Sequence, residues 1–214
     1  MPIPRLSKSR VCYLRCLCSL IALLMLGACQ AYLPTPQDEA KAQMRVISPA
    51  EAQKIDYLLG LMDQRLNVAS KVAKSKWNSG AAVDDPQREA QILNGVTAQA
   101  EASGGIDRAV VRAFLQNQFD AGKIMQRDLL AAWRNTLPSG YKFEDAPDLA
   151  LEVRPVLDKL TPELIGALRE VAPLLATSSA QAYLSRSSMT IIRNDVNGDV
   201  RHQALVTLDA LRVK

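Results

Sequence analysis

Histidine and usable cysteine are what this 214-residue chain most plainly goes without. Its one histidine, His202, stands near the far end, and its four cysteines, Cys12, Cys16, Cys18 and Cys29, all fall within the first 29 residues. Chemistry built on a serine–histidine–acid triad or on a histidine-ligated metal therefore has almost no material, and His202 reads as a surface or packing residue. Beyond residue 29 no internal disulfide can form, although an exported chain would be permitted one. That part also lacks a long apolar run and any sustained apolar–polar alternation, which excludes a membrane-embedded body and half-buried strands.

An excess of positive charge is missing too, once the chain is divided. Lys and Arg number 26 against 22 Asp and Glu. Arg5, Lys8, Arg10 and Arg15 form a basic n-region before an apolar h-region, Leu17 to Leu26, so the first 29 residues read as a targeting segment. Without those four cations the remainder balances at 22 against 22. It offers no basic surface for a nucleic acid. The segment ends Leu26-Gly27-Ala28-Cys29, which resembles the lipobox of bacterial lipoproteins, in which Cys29 would be lipidated and become the mature N-terminus. Ordinary cleavage a little downstream, as after Ala31, is the alternative and would give a soluble periplasmic protein. Gln30, where Asp would retain a lipoprotein at the inner membrane, points by the same resemblance to the outer membrane. Residues 30–47, with Pro34 and Pro36, read as a tether.

What is present is helix-forming. Residues 48–214 are rich in Ala, Leu, Gln, Glu, Arg and Lys, which predicts a single all-α domain of about six helices. Ser48, Pro49 and Glu51 form a capping-box start, followed by a stripe of Ile55, Leu58, Leu59, Met62, Leu66, Ala69, Val72 and Ala73. Gly80 ends that helix, and Trp77 reads as packing. Asp85 and Pro86 open a second helix to about Ala102, and Asp107 caps a third running to about Asn135. The second half is less regular. A helix from about Asp148 carries Leu149, Leu151, Val153, Val156, Leu157 and Leu160, with Pro155 kinking or interrupting it. Thr161-Pro162-Glu163 reads as a fresh helix start, Pro173 as a bend, and Ser178 or Ser179 as the opening of a helix to about Ile192. A turn over residues 193–198 and a last helix over 199–212 complete the chain.

Within this frame Arg65, Lys76 and Arg88 follow one another at intervals of eleven and twelve residues. Eleven helical steps return to nearly the same face about 16 Å along the axis, so two long cationic side chains could grip a small anion from both ends. Arg88 falls in the first turn of the second helix, whose free N–H groups also favour an anion. The plainer reading is two amphipathic helices with solvated cations.

Arg65, Lys76, Asp85, Arg88, Glu89 and Gln126 stand in the order and nearly the spacing of the active-site residues of the all-helical, AroQ-type chorismate mutases. The strings QRLNVA, SKW, DDPQRE and QFDAGKIMQRDLLAAW resemble the exported (periplasmic, gamma-type) branch of that family, over residues 50 to 136. The resemblance implies an isomerase that turns chorismate into prephenate with no cofactor and no metal. Arg65 and Arg88 would then bind the two carboxylates in bidentate geometry. Lys76 and Gln126 would stabilise charge on the breaking ether oxygen. Glu89 would accept from the substrate hydroxyl, and Asp85 is a further substrate-binding candidate, although its capping role explains it without any ligand. At Gly122, where relatives often carry a small polar side chain, the backbone N–H is left to bind substrate. A further arginine supplied by the second half in this branch aligns with Glu163, so Arg154 or Arg169 would have to replace it. Residues 48–136 thus form an active-site half and 147–214 a supporting half, with the pocket between the first three helices of one protomer and a homodimer left open. The rival reading is a non-catalytic helical envelope lipoprotein acting as an interaction module. Membrane contact is expected only through a lipid at Cys29. Replacing Cys29 with Ala should release the protein or block its processing, read out by membrane fractionation and intact mass, and unchanged fractionation and mass would refute the lipid.

Overall fold

A computed structural model describes residues 46–193, 195 and 198–211. The targeting segment, Cys29, most of the tether, half of the 193–198 turn and residue 212 of the last expected helix lie outside the described residues. The order is α1 (Pro49–Ser79), α2 (Pro86–Ser103), α3 (Arg108–Thr136), a π-helical turn (Leu149–Val153), α4 (Arg154–Val171), a 3-10 turn (Leu174–Ala176), α5 (Ser178–Ile191) and α6 (Asp199–Ala210). There are six α-helices and no strand among the described residues, and the all-α expectation holds.

The starts of the long helices are fixed by local chemistry. Ser48 accepts from the Glu51 N–H while Glu51 reaches back to the Ser48 N–H, a complete capping box. Asp85 accepts from the N–H of Arg88, and Asp107 from those of Ala109 and Val110. Gly80 closes α1 at φ 72°, a left-handed position that suits glycine.

α1 is the central element: it packs against α3, α4 and α5, while α3 packs against α1, α2 and α6. With neighbours on several sides, α1 buries more than its expected stripe. Ile55, Leu58, Leu59, Met62 and Leu66 are joined by Leu61 and Val68, which a one-sided amphipathic pattern leaves out. Phe114, Leu115, Leu164, Leu168, Leu184 and Leu208 complete one contiguous core.

The second half departs from expectation in two places. Leu151 and Val156 are 79% and 45% exposed. The π-helical turn, in which the Val153 N–H reaches Asp148 O, followed by Pro155 breaks the 3.6-residue period, so only Leu149, Val153, Leu157 and Leu160 turn inward. Thr161-Pro162-Glu163 does not start a helix; α4 runs straight through it. A capping hydroxyl accepts from an N–H ahead of it, whereas the buried Thr161 Oγ1 donates back to Leu157 O at 2.8 Å. Thr177, one residue before the expected serines, caps α5 by accepting from Ala180 N–H.

Pro162 therefore sits inside a helix on an exposed position and leaves the carbonyl of Asp158 without its i+4 donor. Pro162→Ala should stabilise the domain by roughly 1–3 kcal/mol, measured by urea unfolding. A loss of stability would mean that the proline is seated as a helix start after all.

Candidate functional site

A cavity of about 190 Å³ lies against the C-terminal half of α1. α1 contributes Arg65, Val68, Ala69, Val72 and Lys76; α2 contributes Arg88, Glu89 and Ile92; α3 contributes Gln118, Phe119, Gly122, Lys123 and Gln126. Val83 and Asp85 border it from the α1–α2 connection. Leu149, Val153, Arg154 and Leu157 close it from the second half, so the pocket is not formed by the first three helices alone. All seven pocket residues singled out in the sequence, Arg65, Lys76, Asp85, Arg88, Glu89, Gly122 and Gln126, line this one space.

Three of its cations, Arg65, Arg88 and Arg154, are held with little internal compensation. Arg65 makes no ion pair among the described residues, its Nε is buried without a hydrogen-bond partner, and its guanidinium lies 5.0 Å from the ring centre of Phe119. Burial pulls its pKa down from the usual guanidinium range to about 10, so it stays charged at neutral pH. Arg88 and Arg154 likewise have no acidic partner among the described residues. Lys76 is half-buried and donates to Val83 O at 2.7 Å. Burial lowers its pKa below the usual 10.5, against the opposing pull of Asp85, Asp84 and Glu89. The sequence spacing brought these groups together because α1 keeps Arg65 and Lys76 on one face and Asp85 starts α2 where Arg88 and Glu89 fall in its first turn.

The two α3 positions behave differently. Gln126 is 8% exposed; its Nε2 donates to Gly122 O at 3.2 Å with one hydrogen, leaving the second for a ligand, and its Oε1 is buried without a partner. Gly122 lies in the middle of α3, where its N–H is committed to the helix ladder, so the expected substrate contact through that N–H is corrected. What glycine supplies is room. A Cβ there would meet only Ala69 Cβ, at an ordinary 3.6 Å.

The half of the chain that the sequence left open supplies the roof. Lys74 pairs with Asp145, Ser75 Oγ donates to Pro147 O, Trp77 Nε1 donates to Tyr141 O at 2.8 Å, and Asn78 brackets Phe143 by two hydrogen bonds. Trp133 stacks edge-on to Trp77 and tilts against Phe143. These contacts draw residues 141–147 over the end of α1 and deliver the π-helical turn to the cavity mouth. Of the two arginines left open, Arg154 borders the cavity, while Arg169 lies over Gly105 and lines a separate space between α2 and α4.

Lys123, Gln118 and Phe119 were not foreseen. Lys123 Nζ sits 3.0 Å from Glu89 Oε2 and 2.8 Å from Asp120 Oδ1, and Gln118 Nε2 donates to Ala204 O at 2.9 Å, tying α6 to the cavity wall. A usable signal existed for all three: residues 118, 122 and 126 are successive turns of one helix face, with 119 and 123 beside it.

Residues 50–127 match a family model described as chorismate mutase type II. A secreted chorismate mutase from Mycolicibacterium smegmatis is 33% identical over 141 residues, covering 64% of this chain and 76% of the relative. Among solved structures, a chorismate mutase from Burkholderia thailandensis is 39% identical with a TM-score of 0.64, covering 72% of this chain and 98% of that one. One from Burkholderia phymatum is 30% identical with a TM-score of 0.64, covering 77% and 99%. A secreted chorismate mutase from Yersinia pestis, 21% identical with a TM-score of 0.58 and covering 71% and 94%, shares the fold. With its helices and cavity in place, and at these identities over most of each relative's length, the chain belongs to the type II, all-helical chorismate mutase family.

Proposed function

We propose that this chain rearranges chorismate to prephenate, breaking the ether C–O bond and forming a C–C bond within one bound molecule. The observation that carries the reading is that Arg65, Lys76, Arg88 and Gln126 line one cavity, with Arg65 buried and lacking an acidic partner among the described residues. Such a cation favours a carboxylate arriving from outside. Arg65 and Arg88 hold the two carboxylates and so favour the compact conformer from which the bonds can exchange. Lys76 and the spare amide hydrogen of Gln126 face the ether oxygen, where negative charge grows in the transition state. Glu89 takes the substrate hydroxyl, Asp85 holds the start of α2, and Arg154 adds positive charge at the mouth.

These groups come from one protomer, so the reading does not require a second copy to complete the pocket. The basic and apolar segment over residues 1–29 supports action in the cell envelope, and two relatives are named as secreted. Attachment through a lipid at Cys29, on the periplasmic face of the outer membrane, is the finer form of this reading.

Loss of chorismate absorbance on adding protein without residues 1–29 tests the activity; no loss would end the reading. Lys76→Ala should lower kcat and kcat/KM together by about 10²- to 10³-fold, the usual effect of removing one preorganised donor. Arg65→Ala and Arg88→Ala should act mainly on KM. Activity should fall on the alkaline side, where Lys76 loses its charge at a lower pH than a free lysine and Arg65, brought down to about 10, follows the same direction.

An amide donates at any pH, whereas a carboxyl donates only when protonated. The native protein should therefore hold its activity through neutrality, and Gln126→Glu should be active mainly in acid and fade as its carboxyl ionises. Superimposed pH profiles of the two proteins between about pH 5 and 8 would remove Gln126 from the ether oxygen.

A further inference from the structure

One cation of the cavity, unlike Arg65, Arg88 and Arg154, is already matched. Lys123 bridges Glu89 and Asp120 at 3.0 and 2.8 Å, with side chains of Lys123 and Glu89 only 15% and 20% exposed. Asp120 is held in turn by Gln116 Nε2 at 3.1 Å. The chain of contacts runs from α3 to α2 and ends on Glu89, an acidic group in the wall of a pocket that has to admit a dianion. Glu89 uses only Oε2 in it; Oε1 makes no hydrogen bond among the described residues.

A carboxylate facing an incoming dianion opposes binding unless its charge is cancelled locally. Removing it altogether would forfeit the strong acceptor that a hydroxyl donor needs. We propose that Lys123 is a positioning residue for the rearrangement: shared with Asp120, it offsets part of the charge of Glu89 and fixes Oε2, leaving Oε1 as the acceptor for the substrate hydroxyl. This role rests on the chorismate reading of the cavity and deepens it. Lys123 is not a carboxylate receptor like Arg65. Two of its three donors are engaged by acids, and turning to the substrate would strand both in a half-buried wall. Burial works against its charge, but the hydrogen bonds to Asp120 and Glu89 outweigh that, and its pKa is raised.

The test is a mutant cycle on purified protein, followed by chorismate consumption, with thermal melts to establish folding. Lys123→Met keeps the stem and removes the charge; it should raise KM roughly 10- to 100-fold with a much smaller change in kcat. Lys123→Arg should recover most of the native KM. In a Glu89→Gln background, which removes the charge to be offset, Lys123→Met should change KM less than about threefold.

An equal loss in both backgrounds would overturn the role, because Lys123 would then act on the substrate directly or on the fold alone. An unchanged KM in Lys123→Met would overturn it as well. If Lys123→Met alone fails to melt cooperatively, Glu89→Gln and the double variant still decide: equal KM supports the role and a tenfold rise overturns it. Absence of conversion by the native protein would sink the reading of the site and this role with it, whereas native conversion with an additive cycle would sink only the role.

Discussion

The burial of Arg65 is the constraint around which the active half is arranged. A guanidinium taken from water without a carboxylate partner among the described residues is destabilising, and the fall of its pKa to about 10 reflects that penalty. Phe119 offsets part of it through the ring face. The rest is left as a standing preference for an anion. Glu89, an acid of the same cavity, is paired with Lys123 and not with Arg65. The pocket thus holds unpaired cations beside an acid that already has its partner. Any ligand that binds the folded state alone also stabilises it, so an incoming anion would return some of the stability that Arg65 withholds.

Holding that arrangement requires the C-terminal end of α1 to be fixed, since it carries Lys76. Two connections converge there. Val83 O and the acids of the α1–α2 loop face Lys76, and Arg127 fastens that loop to α3 through both oxygens of Asp84. The segment after α3 then folds back over Lys74, Ser75, Trp77 and Asn78. The loop residues are exposed, yet their contacts decide where the roof of the cavity lies.

Much of this was legible in the sequence because it depends on local rules. Capping pairs fix helix starts within a few residues, and an eleven-residue spacing on a continuous helix fixes a shared face, so α1, α2, Arg65, Lys76 and Arg88 could be placed from local pattern, while Glu89 and Gln126 came through the family resemblance. The difficulties arose where tertiary context decides between equal local patterns. Thr161-Pro162-Glu163 has the composition of a cap, but burial turned its hydroxyl backward to Leu157 O. Leu151 and Val156 suited a regular stripe that the π-helical turn removed. Lys123 looked like any solvated lysine of an amphipathic helix; what distinguishes it is Glu89, 34 residues away and on another element.

Arg88 extends the electrostatic argument to a helix end. It stands in the first turn of α2, where a cation is disfavoured and an acidic residue is the usual occupant. Asp85 and Glu89 restore part of the balance there, but Glu89 is shared with Lys123. Arg154 follows the π-helical turn without a break, its N–H bonded to Leu149 O, and adds a further cation to the border of a cavity that already holds Arg65. Local stability would select against Arg65 and Arg88 separately. Their coincidence around one space is accounted for by a ligand with more than one negative charge, and a dicarboxylate of chorismate's size supplies it.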